Sequence, residues 1–519
     1  MHRPESLAHG MRLVYVAALL GLGGCASASL DLAPAGPDRP WHPQTNSDGE
    51  ILAAPPALSG DAAGGGYTLP ANKKLAQLPP ATDVDSSRDY ALPELIDLAQ
   101  SANPRTRIAW NAARNAALAV GIAKSAYLPY LAATAMGGYA AGHGSGSNNL
   151  LGSASDDAST HGTVSALTLQ WLLFDFGGRD ARVQAAQQTS IAANIALTAV
   201  HQQLIHEVSV AYYQYDAARA RAANARQALA NAGTLAAAAR ARYQHGAGTV
   251  VETAQAEQNL AQARFALTSA LGVESDAYLG LISALGISPL SKPRIAPLPR
   301  RALPSDLGAS VETLVADALA RRPDMLGAYA AQQAEQAKVK AAETEFLPKV
   351  FLSASTSYSS GQSAITAIPA VGQQPAAVNL DNHRAGSAVL LGVTIPIYDG
   401  GLRSAVLMQA HNDAASAQLR LARTRDEAVR QIVAGQNALR TSLASHEAAA
   451  VLIKASQTTY DAALATYRNG VGSLTEVTLA QNQMLLARNA YADSYSAALS
   501  AIASLALATG SIGSGDGQP

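Results

Sequence analysis

The chain has 519 residues, 41 of them glycine, and only 5% are aromatic, so a large globular core filled by aromatic side chains is excluded. Lysine and arginine number 37 against 38 aspartates and glutamates, and a net charge of −1 excludes a general nucleic-acid footprint. One cysteine excludes an intrachain disulfide framework and any cysteine-rich zinc site.

The first predicted element is an export signal over residues 1–24. Arg3 and Arg12 precede the apolar run Leu13–Leu22, and Gly23-Gly24-Cys25 follows. A basic start, a short apolar stretch and small residues at the end make a cleavable leader. The apolar run is shorter than the ~20 residues a spanning helix needs. Leu22-Gly23-Gly24-Cys25 resembles a bacterial lipobox, which implies that the Cys25 thiol is acylated and becomes the mature N-terminus. Ala26, where an aspartate would retain such a lipoprotein, implies sorting to the outer membrane. Residues 25–88 read as the acylated N-terminus and a flexible tether. Pro55-Pro56, Gly64-Gly65-Gly66 and Pro79-Pro80 interrupt them and no hydrophobic period is sustained, so the segment cannot order itself by burial alone.

Beyond the tether the chain repeats itself. Asn103-Pro104 and Tyr127-Leu128-Pro129 have counterparts in Arg322-Pro323 and Phe346-Leu347-Pro348, with both prolines displaced by 219. Phe174-Asp175, Arg179, Tyr243, Gly246, Gly248, Glu252, Arg264 and Gly286 match Tyr398-Asp399, Arg403, Tyr467, Gly470, Gly472, Glu476, Arg488 and Gly510, each displaced by 224. The difference of five falls between Pro129 and Phe174, so the chain is a tandem duplication with one elastic segment. The halves are placed at residues 89–290 and 305–510, with a flexible tail at 511–519.

Helical periods cover 91–126, broken at Pro104, then 177–244 and 250–285, and in the second half 309–345, 401–468 and 474–509. The long pieces would each reach about 100 Å at 1.5 Å per residue. The two shorter pieces of a half, laid end to end, match that height, which predicts a wall of one continuous and one broken helix per repeat. Between short and long helices lie strand candidates. Residues 164–173 and 389–397 alternate clearly, 351–358 more weakly and 130–139 most weakly, with loops expected at 137–162 and 359–386. Each strand is near the ~9–11 residues that cross an outer membrane at a tilt; soluble hairpins packed on the helices are the bland alternative. A bilayer does not tolerate an open sheet edge, and single-chain barrels start at about eight strands, so four strands per chain require several copies. Three copies give a 12-stranded barrel.

The duplicated pattern resembles the TolC-like outer-membrane efflux proteins, and the lipobox points to their NodT-like lipoprotein branch. The resemblance rests on Ala320-Arg321-Arg322-Pro323-Asp324, Phe346-Leu347-Pro348, Tyr398-Asp399-Gly400-Gly401-Leu402-Arg403 and Tyr467-Arg468-Asn469-Gly470-Val471-Gly472 with Ala480-Gln481, in this order over about residues 90–510. It implies an α+β membrane protein: a homotrimeric 12-stranded outer-membrane β-barrel, in contact with outer-membrane lipids, that continues into a periplasmic helical barrel. It also implies docking to a periplasmic adaptor (membrane fusion) protein and an inner-membrane pump. The expected function is passive exit of small molecules from a tripartite efflux system. A duct for type I protein secretion and a periplasmic helical structural lipoprotein are the alternatives.

Such a duct performs no chemistry, so function rests on position. The turns carrying Tyr243, Gly246 and Gly248, and Tyr467, Gly470, Val471 and Gly472, lie at the end of the long helices farthest from the strands. The resemblance implies that these periplasmic tips close the entrance and receive the adaptor; the plain alternative is helix C-caps. Glu252 and Glu476 lie about a turn beyond. They would place six carboxylates round the entrance of a trimer, or else are acidic residues favoured by the helix dipole. Where many family members carry an aspartate just before the Ala-Gln pair this chain has Leu479, and Gln255 in the first repeat, so an apolar Leu479 ring that gates by dewetting is the expectation there. His201 and His206 lack a metal-ligand set, Gly177-Gly178 and Gly400-Gly401 lack the spacing of a phosphate loop, and no catalytic triad suggests itself. No enzyme, cofactor or metal is expected.

Overall fold

The computed structural model describes residues 32–34, 36–38, 41–54, 67–77, 84–85, 87–144, 156–304, 310–361, 366–367, 378–379 and 385–513. The expected signal, Cys25 and most of the tail lie outside them. The chain divides into two compact units, residues 1–82 and 83–519. In the first, the described residues form turns and one antiparallel bridge, Thr45 to Ile51, closed over an Asx turn in which Asn46 Oδ1 accepts from the backbone N–H groups of Asp48 and Glu50.

The second unit carries the duplication. Its first half runs β1 (Asp89–Tyr90), α1 (Leu92–Ala102), α2 (Pro104–Ser125), β2 (Tyr130–Gly144), β3 (Asp156–Phe174), α3 (Gly178–Gln244) and α4 (Val250–Leu285). After β4 (Arg294–Ile295) the second half runs α5 (Val311–Arg321), α6 (Pro323–Thr344), β5 (Lys349–Gly361), β6 (Thr366–Ala367), β7 (Val378–Asn379), β8 (Ala385–Thr394), α7 (Leu402–Arg468) and α8 (Leu474–Ala508). The long helices α3 and α7 have 67 residues each, about 100 Å. Proline starts both α2 and α6, where its missing N–H costs nothing. Asn103 caps α2 by accepting from Arg105 N at 2.9 Å.

Small side chains make the long contacts. Along α3, Ala218, Ala222, Ala225, Ala232, Ala236 and Ala239 are all buried at spacings of three, four or seven, a seam that lets neighbouring backbones approach closely. The helices form a row: α2 packs on α3, α3 on α6 and α6 on α7, with α4 and α8 filling the lower part against α3 and α7. Where α1, α3 and α4 meet, the aromatic-poor chain concentrates its large residues, with Leu95, Leu204, Val208, Tyr212, Leu281, Ile282 and Leu285 all nearly inaccessible. The parallel pair β1–β4, which the sequence reading did not anticipate, closes this cluster from the side; Tyr212 donates to Ala296 O at 3.1 Å.

The strands run longer than expected. β2 continues through Gly144 and β3 begins at Asp156, so much of the stretch 137–162 that composition suggested was loop is paired backbone. Part of 359–386 likewise pairs, as the β6–β7 ladder. Glycine and serine weaken a strand locally, but ladder hydrogen bonds to a partner hold them there. In the other direction β8 stops at Thr394, leaving Ile395 and Ile397 outside it. The four long strands form one antiparallel sheet in the order β2-β3-β5-β8.

Candidate functional site

The sheet has two unlike faces, fixed by its register. Leu169 lies between Leu131 and Ala354, Trp171 pairs with Leu352, and Leu352 and Val350 pair with Leu391 and Val393. All of these share one face with Leu167 and Val389, and it is apolar and mostly exposed. The opposite face is mixed: Thr134, Ala166, Thr168, Gln170, Ser353, Ser355 and Ser357 lie there together with Tyr130, Met136, Leu172, Phe351 and Leu390. Among residues of these four strands whose side chains are described, Lys349 is the only lysine, arginine, aspartate or glutamate. An apolar band on one face, and a second face where hydroxyl and amide groups are interspersed, is the pattern of a membrane barrel wall with a wet lumen. The edges β2 and β8 have no partner among the described residues.

Each sheet corner is locked to the helices by the same device. Arg179 is 6% exposed; it donates to Leu172 O at 2.6 Å, Leu173 O at 3.0 Å and Ala126 O at 3.3 Å, and stacks 4.7 Å over the Tyr127 ring. Its counterpart Arg403 donates to Pro396 O and Asp399 and stacks over Phe346.

At the far end of the long helices the two tip turns are built alike. Gly246 has φ +74° and donates to Tyr243 O at 3.0 Å, and Ala247 donates to Arg242 O at 2.8 Å. In the second turn Gly470 has φ +79° and donates to Tyr467 O, and Val471 donates to Thr466 O. Gly248 and Gly472 are needed for a different reason: a Cβ there would come within 3.0 Å of the Tyr243 and Tyr467 backbone nitrogens. The following helices start on capping boxes. Thr249 and Glu252 exchange hydrogen bonds at 3.1 Å each, and Ser473 and Glu476 do so at 3.2 and 3.3 Å. Both glutamates therefore hold their own helix starts, whatever else they face.

The structure brings the two turns together. Thr475 Oγ1 lies 3.5 Å from Gln255 Oε1, joining the first turn of α8 to the second turn of α4. Tyr467 is buried in a cluster with Leu235, Ala239, Leu474, Val477 and Met484, and Arg242 sits 5.2 Å over its ring. Tyr243 is half exposed instead, so the two tyrosines are not equivalent. Val471 and Leu479 project outward at 82% and 60% exposure. Arg242 is a member of this site that the sequence comparison missed, because its counterpart at the displaced position is Thr466. Gln481 ties α8 to α3 by donating to Ala228 O at 2.9 Å.

Higher up, a cavity of about 620 Å³ lies among α3, α6, α7 and α8. Arg322, 5% exposed, fills its polar side by donating to Ala508 O, Asp324 and Gln431. His206 faces Ser504 Oγ at 2.9 Å, and burial lowers its pKa below the ordinary value.

Residues 95–287 and 314–511 each match the model of the outer membrane efflux protein family. The chain belongs to that family. It is an outer-membrane efflux channel of the tripartite kind, with a β-barrel wall and a periplasmic helical domain, and the resemblance to TolC-like proteins holds. The chain is 30% identical over 441 residues to Protein CyaE of Bordetella pertussis, covering 84% of this chain and 85% of that one. To outer membrane efflux protein BepC of Brucella suis it is 29% identical over 372 residues, covering 70% and 73%. A solved membrane protein of Pseudomonas aeruginosa superposes with a TM-score of 0.68 at 26% identity, over 81% of this chain and 93% of that one.

Proposed function

We propose that three copies of the chain close the sheet into one 12-stranded barrel and the helix row into a tunnel, through which small molecules leave passively. The observation that carries this is the four-stranded sheet with one apolar face, whose edges β2 and β8 are unpaired among the described residues. In a bilayer those edges must pair, and only further strands can pair them. Work is coupled in an inner-membrane pump, linked through a periplasmic adaptor that seats on the tips formed by Tyr243, Gly246, Gly248, Tyr467, Gly470, Val471 and Gly472. Glu252, Glu476 and Leu479 line the entrance, and the chain itself catalyses no reaction. The repeats occupy 89–290 and 305–510, and Cys25 carries a lipid that adds an anchor to the barrel.

The test is detergent extraction of the outer membrane and native mass determination for the wild type and Cys25→Ser. A complex of three mature chains that persists in the variant supports barrel and accessory anchor together. A water-soluble monomer in the variant would refute the barrel.

A further inference from the structure

The duplication supplies an internal control for the cavity among α3, α6, α7 and α8. Its wall on α7 is formed by Ala434, Gly435 and Ala438. The counterparts at the displacement of 224 are Val210, Ala211 and Gln214, so the second repeat is trimmed at three positions where the first is not. Close packing does not require the glycine, since the nearest atoms to a Cβ at residue 435 all belong to Leu505, at 3.4 Å or more. A glycine inside a helix weakens it. What the trimming leaves is an open volume of about 620 Å³, inside the range of roughly 300–1,000 Å³ typical of small-molecule sites.

The polar groups round this volume are balanced in charge. Arg322 is paired with Asp324, and Arg430 donates to Glu427 at 2.5 and 2.8 Å. Hydrogen bonds from Arg430 and Gln431 push the Glu427 pKa down to about 2, so that pair is ionised. Burial keeps His206 neutral at pH 7. An ion would therefore find no surplus charge of opposite sign. Three acceptors remain on α3. Gln202 Nε2 donates to Gly510 O at 3.4 Å and Gln203 Nε2 to Glu207 Oε1 at 3.0 Å, which leaves both amide oxygens without a partner among the described residues. Ser504 Oγ donates to Ser500 O at 2.8 Å and so accepts from His206 Nε2. His206 Nδ1 is then a lone-pair acceptor, buried and unpartnered among the described residues.

Residues two apart on a helix point in nearly opposite directions. Leu204 and Val208 of α3 are buried with α1, and Ile432 of α7 is buried with Ala318 of α5. His206 and Ala434 therefore face away from α1 and α5, and the cavity opens on the side of the helix row without this second layer. A closed ring has more room outside than inside, so the second layer belongs outside and the cavity opens inward.

We propose that this cavity is a binding site for a neutral aromatic molecule carrying an N–H or O–H donor, of the kind of a primary aromatic amide, and that molecules in transit occupy it. The small side chains of Ala434, Gly435 and Ala438 make a flat wall for a planar ring, and the amide oxygens of Gln202 and Gln203 accept from the donor. The transit role rests on the tunnel reading above; the binding does not.

The test uses 4-benzoylbenzamide, a neutral photoreactive aromatic amide, irradiated with the full chain in detergent. Adducts are mapped by peptide mass spectrometry, and native mass is measured on the same samples. Saturable adducts within 199–206 or 430–438 are expected, with benzamide competing and benzoate not. Ala434→Val with Ala438→Gln, which restores the first repeat's residues, should fill the space and reduce labelling by about tenfold or more. Gln202→Met keeps the volume but removes an acceptor, and should raise the half-saturating concentration about three- to tenfold. Equal competition by benzoate would overturn the assignment of a neutral ligand. A three-chain mass without saturable labelling there, or with labelling that both variants leave unchanged, would overturn the site and leave the tunnel standing. A one-chain mass with saturable labelling would support the site and overturn its transit role together with the tunnel.

Discussion

Arg179 offers the sharpest test of how the barrel is held to the helices. Arg179→Met keeps an apolar stem over Tyr127 but removes donors to three backbone carbonyls and the guanidinium facing Asp175 at 3.3 Å. Both side chains of that pair are 6% exposed, so the variant leaves a buried carboxylate without its counter-charge. Breaking one side of a buried pair costs about 3–5 kcal/mol. At about 1.4 kcal/mol per tenfold, local opening of the corner should increase by about 10²- to 4 × 10³-fold. Hydrogen exchange read by mass spectrometry over residues 172–182 measures this directly, provided exchange is limited by the opening equilibrium. Adding Asp175→Asn should recover part of the loss, because the amide oxygen still accepts from the backbone N–H of residue 179, as Asp175 Oδ2 does now at 2.7 Å, and no charge is left buried. An increase below tenfold in the single variant, or a double variant no better than the single, would refute this account of the corner.

Other outcomes follow from the tips and from the helix row. Gly470→Asn should keep efflux close to wild type, since asparagine tolerates the left-handed region, while Gly470→Val should destabilise the turn by about 1–2 kcal/mol and reduce efflux of a fluorescent substrate. Gly472→Ala should impair efflux although its φ is ordinary, because its Cβ would sit 2.7 Å from Thr466 Oγ1 and 3.0 Å from Tyr467 N. Replacing both Glu252 and Glu476 by glutamine preserves the capping boxes and removes only charge; unchanged thermal stability with reduced cation selectivity in planar bilayers is expected, and unchanged selectivity would exclude the entrance ring. His206 holds its proton less tightly in the fold than free histidine does. The unfolded chain therefore takes up more protons as pH falls through about 6.5, and stability is lost over that range. His206→Gln should flatten this part of the pH–stability curve, measured by denaturant midpoints between pH 7 and 5.

The helices and the duplication were legible in the sequence because both are local or periodic. Pro104 and Pro323 mark helix starts by chemistry they carry themselves, and Gly246 and Gly470 mark the tip turns because only a residue without Cβ adopts their φ easily. The predicted long helices, 177–244 and 401–468, differ from the observed ones by a residue at the start. Strand ends were not legible, since glycine-rich chain at 137–144 becomes strand only when 156–163 lies beside it. The capping boxes of Glu252 and Glu476 were written in the sequence as Thr-x-x-Glu and Ser-x-x-Glu, but a motif does not say how much else a carboxylate faces. Tertiary structure alone decided the rest. Tyr243 and Tyr467 occupy matching positions, yet one is half exposed and the other buried under Arg242, because only the second is reached by a neighbouring helix within the chain. The same asymmetry separates buried Ala337 from exposed Leu118. A repeat determines what each half can become; which surfaces remain open depends on where the chain runs out of copies of itself.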